Sequence, residues 1–382
     1  MTAVQNLSSD DEIKDVENTI EGPNTETSAE DVSQLQQLPE NEHDGGYGWV
    51  CVACQLMITA STWGVNGAFG VYLTHYISTN EFPGTSEIAY SFIGGLSQSQ
   101  TLLIAPLVTH ATKLLGTKPP LFIGAALEAG ALVGASFATQ SWQLFLSQGL
   151  LFGWGCSFLY IGTIGLIPQW FARRKGIATG IAAAGSGLGG LIYNLSTEAM
   201  ISNLSVAWAF RITAICTAVT NVVCIILIKD RNKHIQPFQN AFDFRLLKRP
   251  ALLLIIAWMF LSVIGYTCVL FSLPDNATRI GLTAHQGAIL GALANLGMMA
   301  GPMLADAFGI KLLPSTLSIL WTSSAIPSAF AEAMALGLRR THKPVYLDVQ
   351  IFSGCMFIGA ALLLLPLRFR KNIKNLTSSE KN

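Results

Sequence analysis

The residues of this chain that could hold a solute or a proton are few, and they lie inside long apolar runs. Two carboxylates, Glu128 and Glu332, fall within such runs. An ionisable group is costly to bury in low-dielectric surroundings. It marks either a functional position or a neutral or paired carboxyl with a packing role. Neutral polar side chains on neighbouring runs are Asn66, Gln98, Tyr160, Tyr266 and Asn295. Each could hydrogen-bond a solute in its path, and each could as readily bridge two helices.

Bond-making chemistry has no support in the remaining residues. Cys51 and Cys54 form a CxxC, but all seven cysteines lie in apolar runs, where they read as small packing residues rather than a disulfide framework or a metal site. Gly185-Ser186-Gly187-Leu188-Gly189-Gly190 matches GxGxxG formally. A dinucleotide fingerprint needs a preceding strand, and this run sits within one long apolar segment. His75, His110 and His285 are solitary near the ends of runs. With no HExxH, GxSxG or zinc-ligand spacing, the sequence predicts no enzyme, cofactor, metal or nucleic-acid partner. The expected partners are a small organic solute and the lipid bilayer, with protons as candidate coupling ions; protein partners are not indicated.

The elements that position these groups are membrane spans. Hydrophobic residues make up 51% of the 382, and charged residues only 12%, about half the usual share for a soluble domain. Apolar runs set against charged and Pro/Gly breaks predict ten helices. They fall near 49–73, 88–109, 119–138, 142–167, 176–197, 207–228, 251–273, 285–304, 315–336 and 349–367. The fold class expected is an all-α polytopic bundle, six spans plus four.

Charge gives the organisation. Residues 1–44 hold twelve of the 23 acidic residues and one of the 23 basic ones, with no apolar run. Residues 1–43 are expected to form a disordered acidic tail and not a signal peptide. Residues 44–228 then form a six-helix half, 229–250 a cytoplasmic linker, 251–370 a reduced second half and 371–382 a tail. Inner segments gain Lys113, Lys118, Arg173, Arg174, Lys175, the linker cations, Lys311 and the tail cations. Outer loops hold Arg279, Arg339, Arg340 and Lys343. The positive-inside rule places both termini in the cytoplasm, with the plasma membrane the expected location. Asn203-Leu204-Ser205 and Asn276-Ala277-Thr278 then become possible glycosylation sequons outside.

Two motifs stand out. Asp44-Gly45-Gly46-Tyr47-Gly48-Trp49 opens the first span, and by itself reads as a capped helix start with an interfacial Trp. Trp170-Phe171-Ala172-Arg173-Arg174-Lys175 precedes a segment with glycines at 176, 180, 185 and 189. Cations cost roughly 2.5–3.5 kcal/mol each at a bilayer centre, so the triplet marks a membrane edge. Glycines at small-xxx-small spacing let helix backbones approach closely. Together the motifs resemble the paired signatures of the monocarboxylate porter family of the major facilitator superfamily, in its fungal form, over about residues 44–370.

The resemblance implies two halves rocking about a central solute site. It gives Asp44 a capping role at helix 1 and Arg173 and Arg174 an inner-gate role. Gly180, Gly185 and Gly189 would let helix 5 slide against its neighbour. The run Gly301 to Gly309, with Asp306, resembles the superfamily's loop after helix 8. Leu312 to Arg340 resembles the eleventh helix, so helices nine and ten are expected to be missing. Proton-coupled members carry a lysine in helix 1 and an Asp–Arg pair in helix 8. Those positions hold Gly67, Gly297 and Gly301 here. A neutral or larger organic solute therefore fits better than a charge-bound carboxylate. The reading is a secondary active or facilitative carrier of a monocarboxylate-like acid, vitamin-like compound or secondary metabolite, with a non-transporting sensor or degenerate paralogue as the alternative.

Overall fold

The computed structural model of the chain describes residues 45–171, 174–230, 250–283, 285–287, 289, 313–339 and 345–379. Among these residues the regular structure is entirely helical. The helices are α1 (Gly48–Thr79), α2 (Glu87–Leu103), α3 (Ala105–Leu115), α4 (Lys118–Ala135) and α5 (Ser141–Gln169). They continue with α6 (Lys175–Asn203), α7 (Val206–Leu227), α8 (Pro250–Arg279), α9 (Leu313–Gly337) and α10 (Leu347–Ser379). By length and composition α1, α5, α6, α7 and the 252–270 part of α8 could cross a membrane.

These helices match nine of the ten expected spans, the second being split into α2 and α3. The span expected at 285–304 lies almost wholly outside the described residues, as do the leader 1–43 and most of the linker. Several ends differ from expectation. The first helix runs on to Thr79 and stops where Asn80 adopts a left-handed conformation. Asparagine tolerates that region better than most residues. The second span breaks at Ile104, just before Pro106, which has no N–H to continue the ladder. The last helix continues through 371–379, residues expected to be tail.

Inside the bundle, α1 packs against α6 and α7, and α4 packs between α5 and α7. The tightest crossing is α1 on α6. A Cβ on Gly189 would lie 2.5 Å from the Ala60 carbonyl oxygen, and one on Gly64 would lie 2.6 Å from the Gly189 Cα. Gly185 meets the Leu56 carbonyl oxygen as closely, so only glycine fits these places. Among the described residues nothing would come within 4 Å of a Cβ on Gly180, so the close approach to α1 belongs to 185 and 189 and not to 180. At this crossing α1 widens into a π-helical turn over Ala60–Gly64. Such a turn re-aims side chains and recurs at functional sites.

The later helices lean on the earlier ones. α8 packs on α9, α10 and the C-terminal part of α1, while α9 lies along α2 and α3. A Cβ on Gly95 of α2 would lie 2.5 Å from the Ala329 carbonyl oxygen of α9. That glycine sets the spacing between α2 and α9.

Candidate functional site

The π turn in α1 aims Trp63 and Asn66 toward the place where α2, α5, α7 and α8 converge. Two small cavities meet at Asn66. One is lined by Val65, Asn66, Tyr72, Ser97, Gln148 and Phe210, among others; the second by Trp63, Asn66, Gly67, Gln98, Tyr266 and Leu270. Their volumes, about 20 and about 10 Å³, correspond to roughly one water each.

The polar groups around the cavities are mostly bound to one another. The Asn66 amide nitrogen donates to Ser97 Oγ. Thr267 Oγ1 of α8 donates to Gln98 Oε1 of α2 at 3.3 Å. Tyr76 approaches Gln148 at 3.5 Å. Tyr72 and Phe210 stack at 4.5 Å, nearly parallel. The Trp63 ring is held edge-on by Tyr160, with ring centroids 5.5 Å apart. Among the described residues its buried indole N–H has no hydrogen-bond partner. A buried donor left unpaired forfeits about 1–3 kcal/mol, which an incoming acceptor would recover.

The structure thus brings Asn66, Gln98 and Tyr266 together, with Tyr160 one ring behind. Glu128 is elsewhere. Fully buried on α4, its Oε2 accepts from Asn221 Nδ2 of α7 at 2.7 Å, and Asn221 Oδ1 accepts from Ser61 Oγ of α1 at 2.6 Å. Glu128 lines neither cavity, and among the described residues its Oε1 has no partner. The chain of three side chains ties α1, α4 and α7 together. Glu332 falls on α9, and its side chain is not among those described; Asn295, Asp306, Gly297 and Gly301 lie outside the described residues.

At the edge where α1 and α6 begin, the two sequence motifs touch each other. Gly45 and Gly46 adopt φ of 138° and 62°, a region that favours glycine. The turn they make brings Gly48 against Trp170 and Phe171, where a Cβ would lie 2.9 Å from the Trp170 Cβ. Trp49 packs edge-on to Phe171 at 4.9 Å. Tyr47 donates to the Leu227 carbonyl oxygen at 2.7 Å, and the Trp170 indole donates to that of Lys229 at 3.1 Å. The start of α1, the α5–α6 turn and the end of α7 are thereby clasped. Arg174 sits at the head of α6. Asp44 and Arg173 lie outside the described residues.

At the opposite edge the charged residues pair. Arg279 contacts the Asp275 carboxylate at 2.6 Å, and Tyr346 donates to the same Oδ2 at 2.5 Å. Burial, then the neighbouring Asp275 carboxylate, push the Tyr346 phenol above its ordinary pKa. Arg339, just past α9, pairs with Glu87 at the head of α2 at 2.5 Å, and its other terminal nitrogen lies 3.8 Å from Asp275. His285 Nδ1 lies 3.3 Å from Glu198 near the end of α6. Asn276 falls in the last turn of α8 and not in a loop, and Asn203 ends α6, where its amide donates to the Ala199 carbonyl oxygen at 2.8 Å.

Sequence reasoning had missed Trp63, Tyr72, Ser97, Gln148 and Thr267. Ser97 and Gln148 carried a signal, being polar within apolar spans. Trp63 and Tyr72 carried none, because an aromatic residue in a span reads as packing.

The major facilitator superfamily model matches residues 51–372. The probable transporter MCH2 of Saccharomyces cerevisiae is 30% identical over 343 residues, covering 86% of this chain and 72% of that protein. Monocarboxylate transporter 10 of Danio rerio is 30% identical over 175 residues, 44% of this chain and 34% of its own length. Among solved structures, the partially occluded inward open conformation of the xylose transporter XylE from E. coli superposes with a TM-score of 0.60. The identity is 12%, with 84% of this chain and 99% of that one covered.

Proposed function

The chain belongs to the major facilitator superfamily, in its monocarboxylate-porter-like branch, and on that premise we propose that it moves a small organic solute by alternating access through the cavities around Asn66. As a member of that superfamily it is a multi-pass membrane transporter and not an enzyme.

The observation that carries the substrate reading is the unpartnered Trp63 N–H beside the amides of Asn66 and Gln98 and the phenol of Tyr266. These groups suit an uncharged solute with a carbonyl or ether oxygen and a flat apolar face. No Lys, Arg, Asp or Glu is among the residues lining the two cavities. The eighth-span sequence from Gln286 to Ala305 has no charged residue either. A free monocarboxylate, the class in the zebrafish relative's name, would have no cation to pair with in this lining. A monocarboxylate-like acid would therefore enter in its neutral form. Both termini would face the cytoplasm, and the plasma membrane is the proposed site of action.

Counterflow in proteoliposomes, run with a panel of uncharged and monoanionic organic solutes, tests this. The expected result is saturable exchange of an uncharged solute that weakens in Asn66→Ala. The sensor or degenerate-paralogue reading gains if no solute exchanges, and most of all if two helices inserted between Gly309 and Leu312 restore exchange.

A further inference from the structure

The outer charge cluster is placed where a carrier of this kind must open. α2 and α9 cross at Gly95 and Ala329 with no room for a Cβ. Glu87 stands eight residues from that crossing, about 12 Å along α2 at the usual helical rise. Arg339 stands ten residues from it at the far end of α9. A tilt of one half about the crossing leaves Gly95 in contact and separates Glu87 from Arg339. Arg339 then has a second carboxylate in reach, since Asp275 is already 3.8 Å away on its own half. The Asp275 carboxylate is itself buried and held by Arg279 and Tyr346, so it stays in place as the halves part. Glu198 and His285 form a second pair across the same divide.

We propose that Glu87–Arg339 is a latch closing the outer side of the solute path, that Arg339 passes from Glu87 to Asp275 as that side opens, and that Glu198–His285 is a second, weaker latch. This rests on the alternating-access reading. Exchange between two carboxylates keeps the arginine paired at both ends of the movement. A salt bridge with one partner would instead hold the protein closed. Arg339 is thus a positioning residue that never touches solute.

The test uses full-length protein in right-side-out vesicles with Cys216→Ser and Cys355→Ser, which remove the two exposed thiols. Leu270→Cys then places a thiol in the cavity lining. The readout is its rate of reaction with a membrane-impermeant maleimide added outside. Glu87→Gln should raise the rate by about twofold to fivefold, as expected for loss of a partly exposed ion pair. Glu198→Gln should raise it less, and the two should multiply. Asp275→Asn, by removing the open-state partner of Arg339, should lower it. Opposite signs for Glu87→Gln and Asp275→Asn are the mark of partner exchange. Equal rates in native protein, Glu87→Gln and Glu198→Gln, all monodisperse, overturn the latch and leave alternating access standing. Shifts of the same sign in Glu87→Gln and Asp275→Asn overturn the exchange. A thiol that reacts from neither side in native protein or any variant overturns both readings.

Discussion

Gly189 and Ala60 face each other across the α1–α6 crossing so closely that a Cβ on the glycine would lie 2.5 Å from the alanine's carbonyl oxygen. The contact is with backbone, which cannot swing aside. Gly189→Ala should therefore lower stability by about 1–3 kcal/mol, the range for overpacking. Gly180→Ala, with open space around it, should be neutral or stabilising by about 0.5–1 kcal/mol. Thermal unfolding of the purified protein in detergent compares the two. Equal destabilisation would remove the distinction between the glycine pairs.

Trp63→Phe keeps the ring that packs on Tyr160 and deletes the unpartnered N–H. The fold loses no hydrogen bond, so the melting temperature should hold or rise. Affinity for an acceptor-bearing solute should fall by roughly threefold to tenfold, the worth of one neutral hydrogen bond. Competition in counterflow against any exchanging solute measures it. An unchanged affinity would mean that the indole N–H points away from the solute.

How far this site was legible in the sequence depends on the kind of signal. Apolar runs located the spans because burying backbone in lipid demands long helices. The glycine spacing located the α6 surface, but spacing alone did not separate 185 and 189, which meet α1, from 176 and 180, which meet open space. Asn66, Gln98 and Tyr266 were found because polarity in an apolar run is visible one residue at a time. Glu128 stood out by the same rule, yet its partner Asn221 lies 93 residues away. Whether a buried carboxyl meets a solute or another helix is settled by tertiary packing. The pairing of Glu87 with Arg339 spans 252 residues and has no local pattern at all.

Glu128 supplies a third prediction. Its bond to Asn221 ties α4 to α7, and Glu128→Gln preserves the shape and the acceptor oxygen. That variant should transport at close to the native rate, with its response to a pH gradient intact. Asn221→Ala, which leaves the buried carboxyl without its donor, should destabilise by about 1–3 kcal/mol. If Glu128→Gln abolishes gradient-driven flux while equilibrium exchange survives, Glu128 carries the coupling proton despite its distance from the cavity lining.

The last prediction concerns orientation. Lys113, Lys118, Arg174 and Lys229 gather at one edge, where Lys118 donates to the Ile226 carbonyl oxygen at 3.0 Å and Lys229 covers the Tyr47 ring at 4.2 Å. Glu81, Glu87, Glu198 and Asp275 mark the other edge, with Arg279 and Arg339 held there by carboxylates. Those two arginines are outnumbered by the four cations at the first edge. The positive-inside rule then makes the first edge cytoplasmic. Position 276 is a poor reporter, because it lies half-buried in the last turn of α8. Thr79 ends α1 and Lys113 lies near the end of α3, and both are exposed. In a background lacking Cys216 and Cys355, Thr79→Cys should react with an impermeant thiol reagent on intact cells. Lys113→Cys should react only after permeabilisation. The reverse pattern would invert the whole topology, placing both termini and the Glu87–Arg339 pair on the opposite faces of the membrane.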